Sequence, residues 1–286
     1  DRGFFDTEAP DGNDDILGIR YDSDGANSGR TNIIKVGITD SDNTDVAQLE
    51  TSATINGVST QSTDPQLITT SWLTGNAQRF FLNGTEDTST DINGTLSNSL
   101  AGAGAVQIGR SVKANDTDGW DGDVAEAIIY TSELNAAQLE IVNNYLSARY
   151  SITIPNDFYS FDGSFPGDIA GIGNSGGETH TTAASDTLLE ISGATSLDDG
   201  DFLLFGHDRD NDDTWTTTEA PNGGTNIQRI AREWRLDETG DVGTITVSLD
   251  TTKLPAQPGG LTKYAVLVDS DGNFDDGDAT VYGLDR

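Results

Sequence analysis

The sequence predicts an all-β chain with one short helix. Three observations carry that expectation. Apolar residues recur at every second position in short runs, the period of a strand with one buried face. Between the runs lie segments rich in Gly, Asp and Asn, residues that favour tight turns. Only one stretch of the 286 residues, after Glu133, shows a sustained helical period.

In chain order, the predicted strands of the first half are 16–21, 32–39, 48–56, 66–73, 78–82, 106–110 and 124–130. The alternation is clearest at 32–39, where Ile34, Val36 and Ile38 fall on one face. Asn83-Gly84 follows Arg79-Phe80-Phe81-Leu82 and marks a hairpin, because both turn residues tolerate positive φ. Asn135 caps the predicted helix and Gln138 completes a capping box. Leu134, Ile141, Val142, Tyr145 and Leu146 then recur at helical spacing to about Tyr150, with Pro155 closing the segment. The second half predicts strands at 187–192, 202–206, 227–236, 244–249, 264–269 and 279–284. Its segments 171–182 and 208–224, rich in Gly, Asn, Asp and Thr, read as long loops. Length and this break in pattern suggest two domains, 1–153 and 154–286.

Two resemblances follow from particular residues. Trp120-Asp-Gly-Asp-Val-Ala-Glu-Ala-Ile-Ile-Tyr, with the helix after Ser132 and the tail Tyr145-Leu-Ser-Ala-Arg-Tyr-Ser-Ile152, resembles the end of a LamG-type, concanavalin-like domain. Phe81-Leu-Asn-Gly84 and Gln107-Ile-Gly-Arg110 are similar to that family's hairpin and a strand. The resemblance implies a two-sheet jelly roll over 1–153, ending in the helix near 135–149. Bacterial members carry two or three strands before a segment like 2–21, so the jelly roll is expected to be incomplete at its N-terminal side, either because the chain is cut inside the domain or because another chain or segment supplies those strands. The second half, through Asp168-Ile-Ala-Gly-Ile-Gly, Phe202-Leu-Leu-Phe-Gly-His-Asp, Arg232-Glu-Trp-Arg-Leu-Asp and Leu267-Val-Asp-Ser-Asp-Gly, is similar to a β-domain that follows LamG-type domains in large bacterial surface proteins and adhesins. It is expected to be a smaller, immunoglobulin-like β-sandwich.

Charge excludes several partners. Forty-eight Asp and Glu against 15 Lys and Arg give a formal net charge of −33. Such a polyanion repels nucleic acid and anionic membrane surfaces. No apolar run is long enough to span a membrane. Cysteine is absent, which removes disulfides, thiolate chemistry and Cys-based zinc sites. The chain starts at Asp1 and contains no Met, and is expected to be a processed or excised piece.

Calcium is the chemistry the composition favours. Ca²⁺ takes six to eight oxygens, and short Asp-rich loops supply them. Asp208, Asp210, Asp212 and Glu219 stand at positions 1, 3, 5 and 12 of an EF-hand-like spacing, although position 6 is Asp213 rather than Gly. Asp269, Asp271 and Asn273 repeat the 1, 3, 5 spacing, with Asp275 two residues on. Asp116, Asp118, Asp121 and Asp123 form a third cluster, and Asp22 with Asp24 a fourth. The bland alternative for each is a solvated turn.

Catalysis is not expected. Asp121, Asp123 and Glu126 echo a glycosidase spacing, yet the LamG-like end strand accounts for the same residues. His180 and His207 lack a nucleophile elbow and read as surface or loop residues. Among the aromatics, Trp215 in the 208–224 segment and Trp120 beside an acidic cluster are the candidate ligand platforms, while Trp72 and Trp234 read as core. The resulting expectation is a non-catalytic module of a secreted bacterial surface protein that binds a glycan or protein ligand through Ca²⁺-stiffened loops. Two alternatives stay open: a filament subunit completed by a strand from a neighbouring chain, and a carbohydrate-binding accessory of a polysaccharide-degrading enzyme.

Overall fold

A computed structural model of the chain describes residues 2–8, 15–22, 32–39, 46–51, 64–73, 78–88, 91–93, 106–110, 119–120, 122–210 and 212–284. The described chain is mostly β, in several antiparallel sheets, with one α-helix. It divides into two compact units, 1–134 with 150–156, and 135–149 with 157–286.

The first unit contains β1 (Arg2–Glu8), β2 (Asp15–Asp22), β3 (Ile33–Thr39), β4 (Val46–Glu50), β5 (Ile68–Ser71), β6 (Arg79–Leu82), β7 (Thr85–Glu86), β8 (Asp91–Asn93) and β9 (Val106–Ile108). One antiparallel sheet has the order β8-β4-β3-β2-β1-β9, and a smaller one the order β5-β6-β7. The alternation read at 32–39 is what builds the core. Ile34, Val36 and Ile38 are buried together with Phe5, Leu17, Tyr21, Leu49 and Phe80. The hairpin between β6 and β7 turns through Asn83 (φ 50°) and Gly84 (φ 77°), both in the left-handed region.

The strand predicted at 124–130 is not formed. This stretch has no strand pairing, and Val124, Ile128, Ile129 and Tyr130 are exposed. A strand exists only where a neighbour takes its backbone hydrogen bonds, and among the described residues none does so here.

The second unit begins with α1 (Ala136–Tyr150). Its capping box is present: Gln138 N–H donates to Asn135 Oδ1 at 2.9 Å, and Asn135 N–H to Gln138 Oε1 at 3.1 Å. The strands are β10 (Gly167–Ser175), β11 (Glu178–His180), β12 (Thr182–Ser185), β13 (Leu189–Ser192), β14 (Phe202–His207), β15 (Trp215–Thr216), β16 (Arg229–Ile230), β17 (Trp234–Thr239), β18 (Thr246–Leu249), β19 (Ala265–Val268) and β20 (Thr280–Gly283). They form sheets β11-β10-β14-β17 and β12-β13-β18, and the ribbons β15-β16 and β19-β20.

β14 is buried along its whole length because it has cover on both faces. Phe202 and Leu204 pack with Ile169, Tyr159 and, from α1, Ala137 and Ile141. Leu203 and Phe205 point the other way and pack with Ile172, Leu189, Ile191 and Val242. The unit is therefore layered as helix, sheet, sheet. The sequence pattern places the helix at the close of the first half, whereas in the structure it belongs to the second unit. Its periodicity marked a buried face without saying what would cover it, and Phe158, Tyr159 and β14 cover it.

Residues 171–182, read as a loop, are mostly strand. Gly176 and Gly177, at φ 62° and 81°, make the turn between β10 and β11, whereas Gly171 and Gly173 are there because β14 lies against them. A Cβ on Gly173 would stand 2.1 Å from the Phe202 ring, and one on Gly171 3.0 Å from Leu203 O. The predicted strand 227–236 is split into β16 and β17, where Arg229 Nη1 donates to Ile230 O and Ala231 O at 3.1 and 2.9 Å.

Candidate metal centre

The β19-β20 ribbon brings acidic groups together. Its register pairs Val268 with Thr280, so Asp269 leaves β19 opposite the residues that lead into β20. Carboxylate oxygens of Asp269, Asp276 and Asp278 lie within 4.8 Å of one another. Asp269 is half-buried and the other two are exposed.

The loop is held by side chains accepting from the backbone. Asp269 Oδ1 accepts from Asp271 N–H at 2.8 Å and Gly272 N–H at 2.7 Å. Gly272, at φ 92°, supplies a turn that L side chains rarely adopt. Asp271 Oδ1 accepts from Asn273 N–H at 3.0 Å, and Asp275 Oδ1 from Gly223 N–H at 3.0 Å. Thus Asp271, Asn273 and Asp275 shape the loop, and of the spaced set only Asp269 joins the cluster.

Electrostatics follow from the crowding. Hydrogen bonding to Asp276 and Asp269 holds the Asp278 carboxyl up at about 6. Donation from the Asp271 N–H keeps Asp269 below its usual range. Several carboxylates around one point form the hard-oxygen donor set that suits a divalent cation such as Ca²⁺ or Mg²⁺. Asp276 and Asp278 escaped the reading by spacing. The signal that finds them is the ribbon register, which folds residue 278 back against 269.

Asp208, Asp210, Asp212 and Glu219 are arranged differently. Asp208 Oδ1 accepts from Asp210 N–H at 2.9 Å and Glu233 N–H at 3.3 Å. Asp212 pairs with Arg232 at 2.9 Å, and that guanidinium also meets Asp186 at 2.7 Å and Asp210 O at 2.9 Å. Glu219 pairs with Arg229 at 3.0 Å, beside Glu233 at 2.8 Å. Burial pushes Glu233 upward and Arg229 opposes it. Arginines thus hold positions 5 and 12 of the EF-hand-like spacing. Asp24, Asp116, Asp118 and Asp121 lie outside the described residues, Asp123 is exposed, and Asp22 pairs with Lys35.

Trp215 is half-buried, stacks on Tyr264 at 6.3 Å between ring centroids, and donates Nε1–H to Ala256 O at 3.0 Å. Trp120 is half-buried against Phe4 at 4.2 Å. Trp72 and Trp234 pack at the margins of the two cores. His207, read as a surface or loop residue, is instead only 3% exposed. Its Nδ1 accepts from Arg209 N–H at 2.9 Å, so Nε2 carries the proton and donates to Asp168 at 2.9 Å. Both nitrogens are therefore occupied by the fold. His180 is half-buried beside Gln138, and burial lowers its pKa.

The fold and the acidic ribbon together define an all-β chain with a candidate cation site. A family model described as Domain of unknown function (DUF8202) matches residues 138–285, over half of the chain, and the chain belongs to that family. The matched stretch starts inside α1 and takes in β10 through β20. No curated protein and no solved structure matches the chain.

Proposed function

We propose that this chain is a non-catalytic binding module of a secreted bacterial surface protein, and that the β19-β20 ribbon binds Ca²⁺. The observation that carries the reading is the convergence of Asp269, Asp276 and Asp278 on one point. A cation there relieves repulsion among the three and in a chain of net charge −33. In this reading the first unit is a LamG-like jelly roll and the second an immunoglobulin-like sandwich. The sheet order β8-β4-β3-β2-β1-β9 and the face-to-face packing of β10 and β14 on β13 support those assignments. The Trp215–Tyr264 stack, oriented by Ala256 O, is the proposed edge for a glycan or protein ligand.

The test is thermal unfolding in CaCl₂ and in excess EGTA, with bound metal quantified. Saturation at about 100 times Kd adds about 2.7 kcal/mol. At about 2–4 °C per kcal/mol, that raises Tm by roughly 5–10 °C. The D276N/D278N chain should lose the shift. No shift and no retained metal in the unaltered chain would refute the calcium reading.

A second reading has its own observation. Val124, Ile128, Ile129 and Tyr130 are exposed within residues 124–130, and Val106 and Ile108 of edge strand β9 are each 55% exposed. A filament subunit completed by a neighbouring chain would cover such groups. Ordered self-assembly in electron micrographs would support that reading, and a monodisperse monomer at high concentration would oppose it.

A further inference from the structure

The first unit carries reactive groups of its own, and they bear on covalent chemistry rather than on metal binding. On the sheet face opposite Tyr21, Ile34 and Val36, the charged side chains of Asp6, Arg20, Asp22, Lys35 and Glu50 gather across β1 to β4. Arg20 meets Asp6 at 3.1 Å. Next in the row, Lys35 Nζ is in direct contact with Asp22 Oδ2. Asp22 is completely buried and the Lys35 side chain is only 16% exposed. The register places Arg20 opposite Lys35 and Asp22 opposite Ile33, so Asp22 is the diagonal neighbour of Lys35 on β2. On its other side Lys35 is directly opposite Glu50 of β4, and directly paired residues share a face. Glu50 is half-buried. A primary amine thus stands between a buried carboxyl group in contact with it and a second carboxyl one strand away.

Holding an ammonium and a carboxylate together out of water incurs desolvation of both ions. Proton transfer within the pair gives a neutral amine and a neutral acid, the forms in which nitrogen is nucleophilic and the carboxyl carbon electrophilic. We propose that Lys35 and Asp22 condense into an intramolecular amide that joins β2 to β3. The Nζ lone pair attacks Asp22 Cγ and forms the N–C bond. Glu50 takes a proton from nitrogen and delivers it to the departing hydroxyl. The Cγ–O bond breaks and one water leaves. Of the three ammonium hydrogens, one stays on the amide and two depart in the water, so atoms and charge balance with no oxidant or co-reactant. The product is neutral and sits where Asp22 has no exposure to the water that would hydrolyse it. The adjacent Arg20–Asp6 pair cannot follow the same course, because a guanidinium does not give up its proton.

Intact mass spectrometry of the purified chain decides the matter. The proposal expects a mass about 18 Da below that of the sequence, the loss of one water. Loss of water at an Asp-Gly pair would mimic that figure, so the cross-link is located by trypsin. The cleavage sites around the pair are Arg20, Arg30, Lys35 and Arg79. An amidated Lys35 resists cleavage, and the digest then contains a branched peptide joining 21–30 to 31–79. K35R, which keeps the ion pair, and D22A should each show the full mass of their own sequence. E50Q should accumulate uncondensed chain, and an E50Q chain fully lacking the water removes the role given to Glu50. Full sequence mass in the unaltered protein, with 21–30 and 36–79 released separately, overturns the proposal and leaves a buried ion pair.

Discussion

Replacing Gly206 by Ala tests the helix–sheet layering of the second unit. Gly206 lies in β14, opposite Arg235 of β17. A Cβ there would stand 2.6 Å from Phe165 O, 2.8 Å from Ile169 Cγ1 and 2.9 Å from the Tyr159 hydroxyl. None of the three yields readily. Phe165 O is backbone, and the Tyr159 hydroxyl is fixed by donating to that carbonyl at 2.8 Å. Ile169 belongs to the buried cluster under α1. Overpacking of this kind costs about 1–3 kcal/mol. Loss of unfolded-chain entropy on adding a methyl group offsets about 0.4–1 kcal/mol of that. A net loss in the middle of that range, about 1–2 kcal/mol, corresponds to a Tm lowered by roughly 2–8 °C. Gly37→Ala is the control, since a Cβ at Gly37 meets nothing within 4 Å. Calorimetry of both variants is the assay. An unchanged Tm for Gly206→Ala would show that Tyr159 and the 165–169 segment do not lie over β14 as described.

Three further outcomes can be checked. Asp278 keeps its proton to about pH 6, above the usual Asp range, so in EGTA its contribution to stability grows as pH falls from 7 toward 4.5 and is lost as pH rises through 6. Protons and Ca²⁺ compete for that carboxyl group, so the Ca²⁺-induced Tm shift should shrink markedly between pH 7.5 and pH 5, and an equal shift at both would count against the site. Asp269, held low, works in the opposite sense only at more acidic pH. Arg232→Ala removes charge-assisted bonds to Asp186 and Asp212 and should cost about 1.5–3 kcal/mol in urea unfolding, whereas a midpoint equal to that of the unaltered chain would mean the cluster is solvated.

Local chemistry was legible in the sequence. The capping box at Asn135 and Gln138 and the Asn83-Gly84 turn depend on a few adjacent residues, and both formed as read. Alternation at 32–39 was equally direct. What escaped were properties that need a partner. Gly171 and Gly173 resemble loop residues until the side chains and backbone of β14 are laid across them. Residues 124–130 have the composition of a strand, and among the described residues no neighbour pairs with them. At the candidate site, spacing identified Asp269, but Asp276 and Asp278 required the fold of the ribbon. The 208–219 carboxylates read as cation ligands until Arg229 and Arg232, more distant in sequence, came beside them.

The helix bears on where this chain can be cut. Beyond its contacts with β14, its first turn is tied to the β10-β11 hairpin. Asn135 Nδ2 donates to Thr179 O at 3.0 Å, and Ala136 N–H to Glu178 Oε2 at 2.7 Å. A fragment starting at residue 154 would bare one face of Ile169, Phe202 and Leu204 to solvent. One starting at 138, where the family match opens, would keep most of the helix and discard its cap. A fragment that begins a few residues before Asn135 carries its own lid and the latch that fastens it.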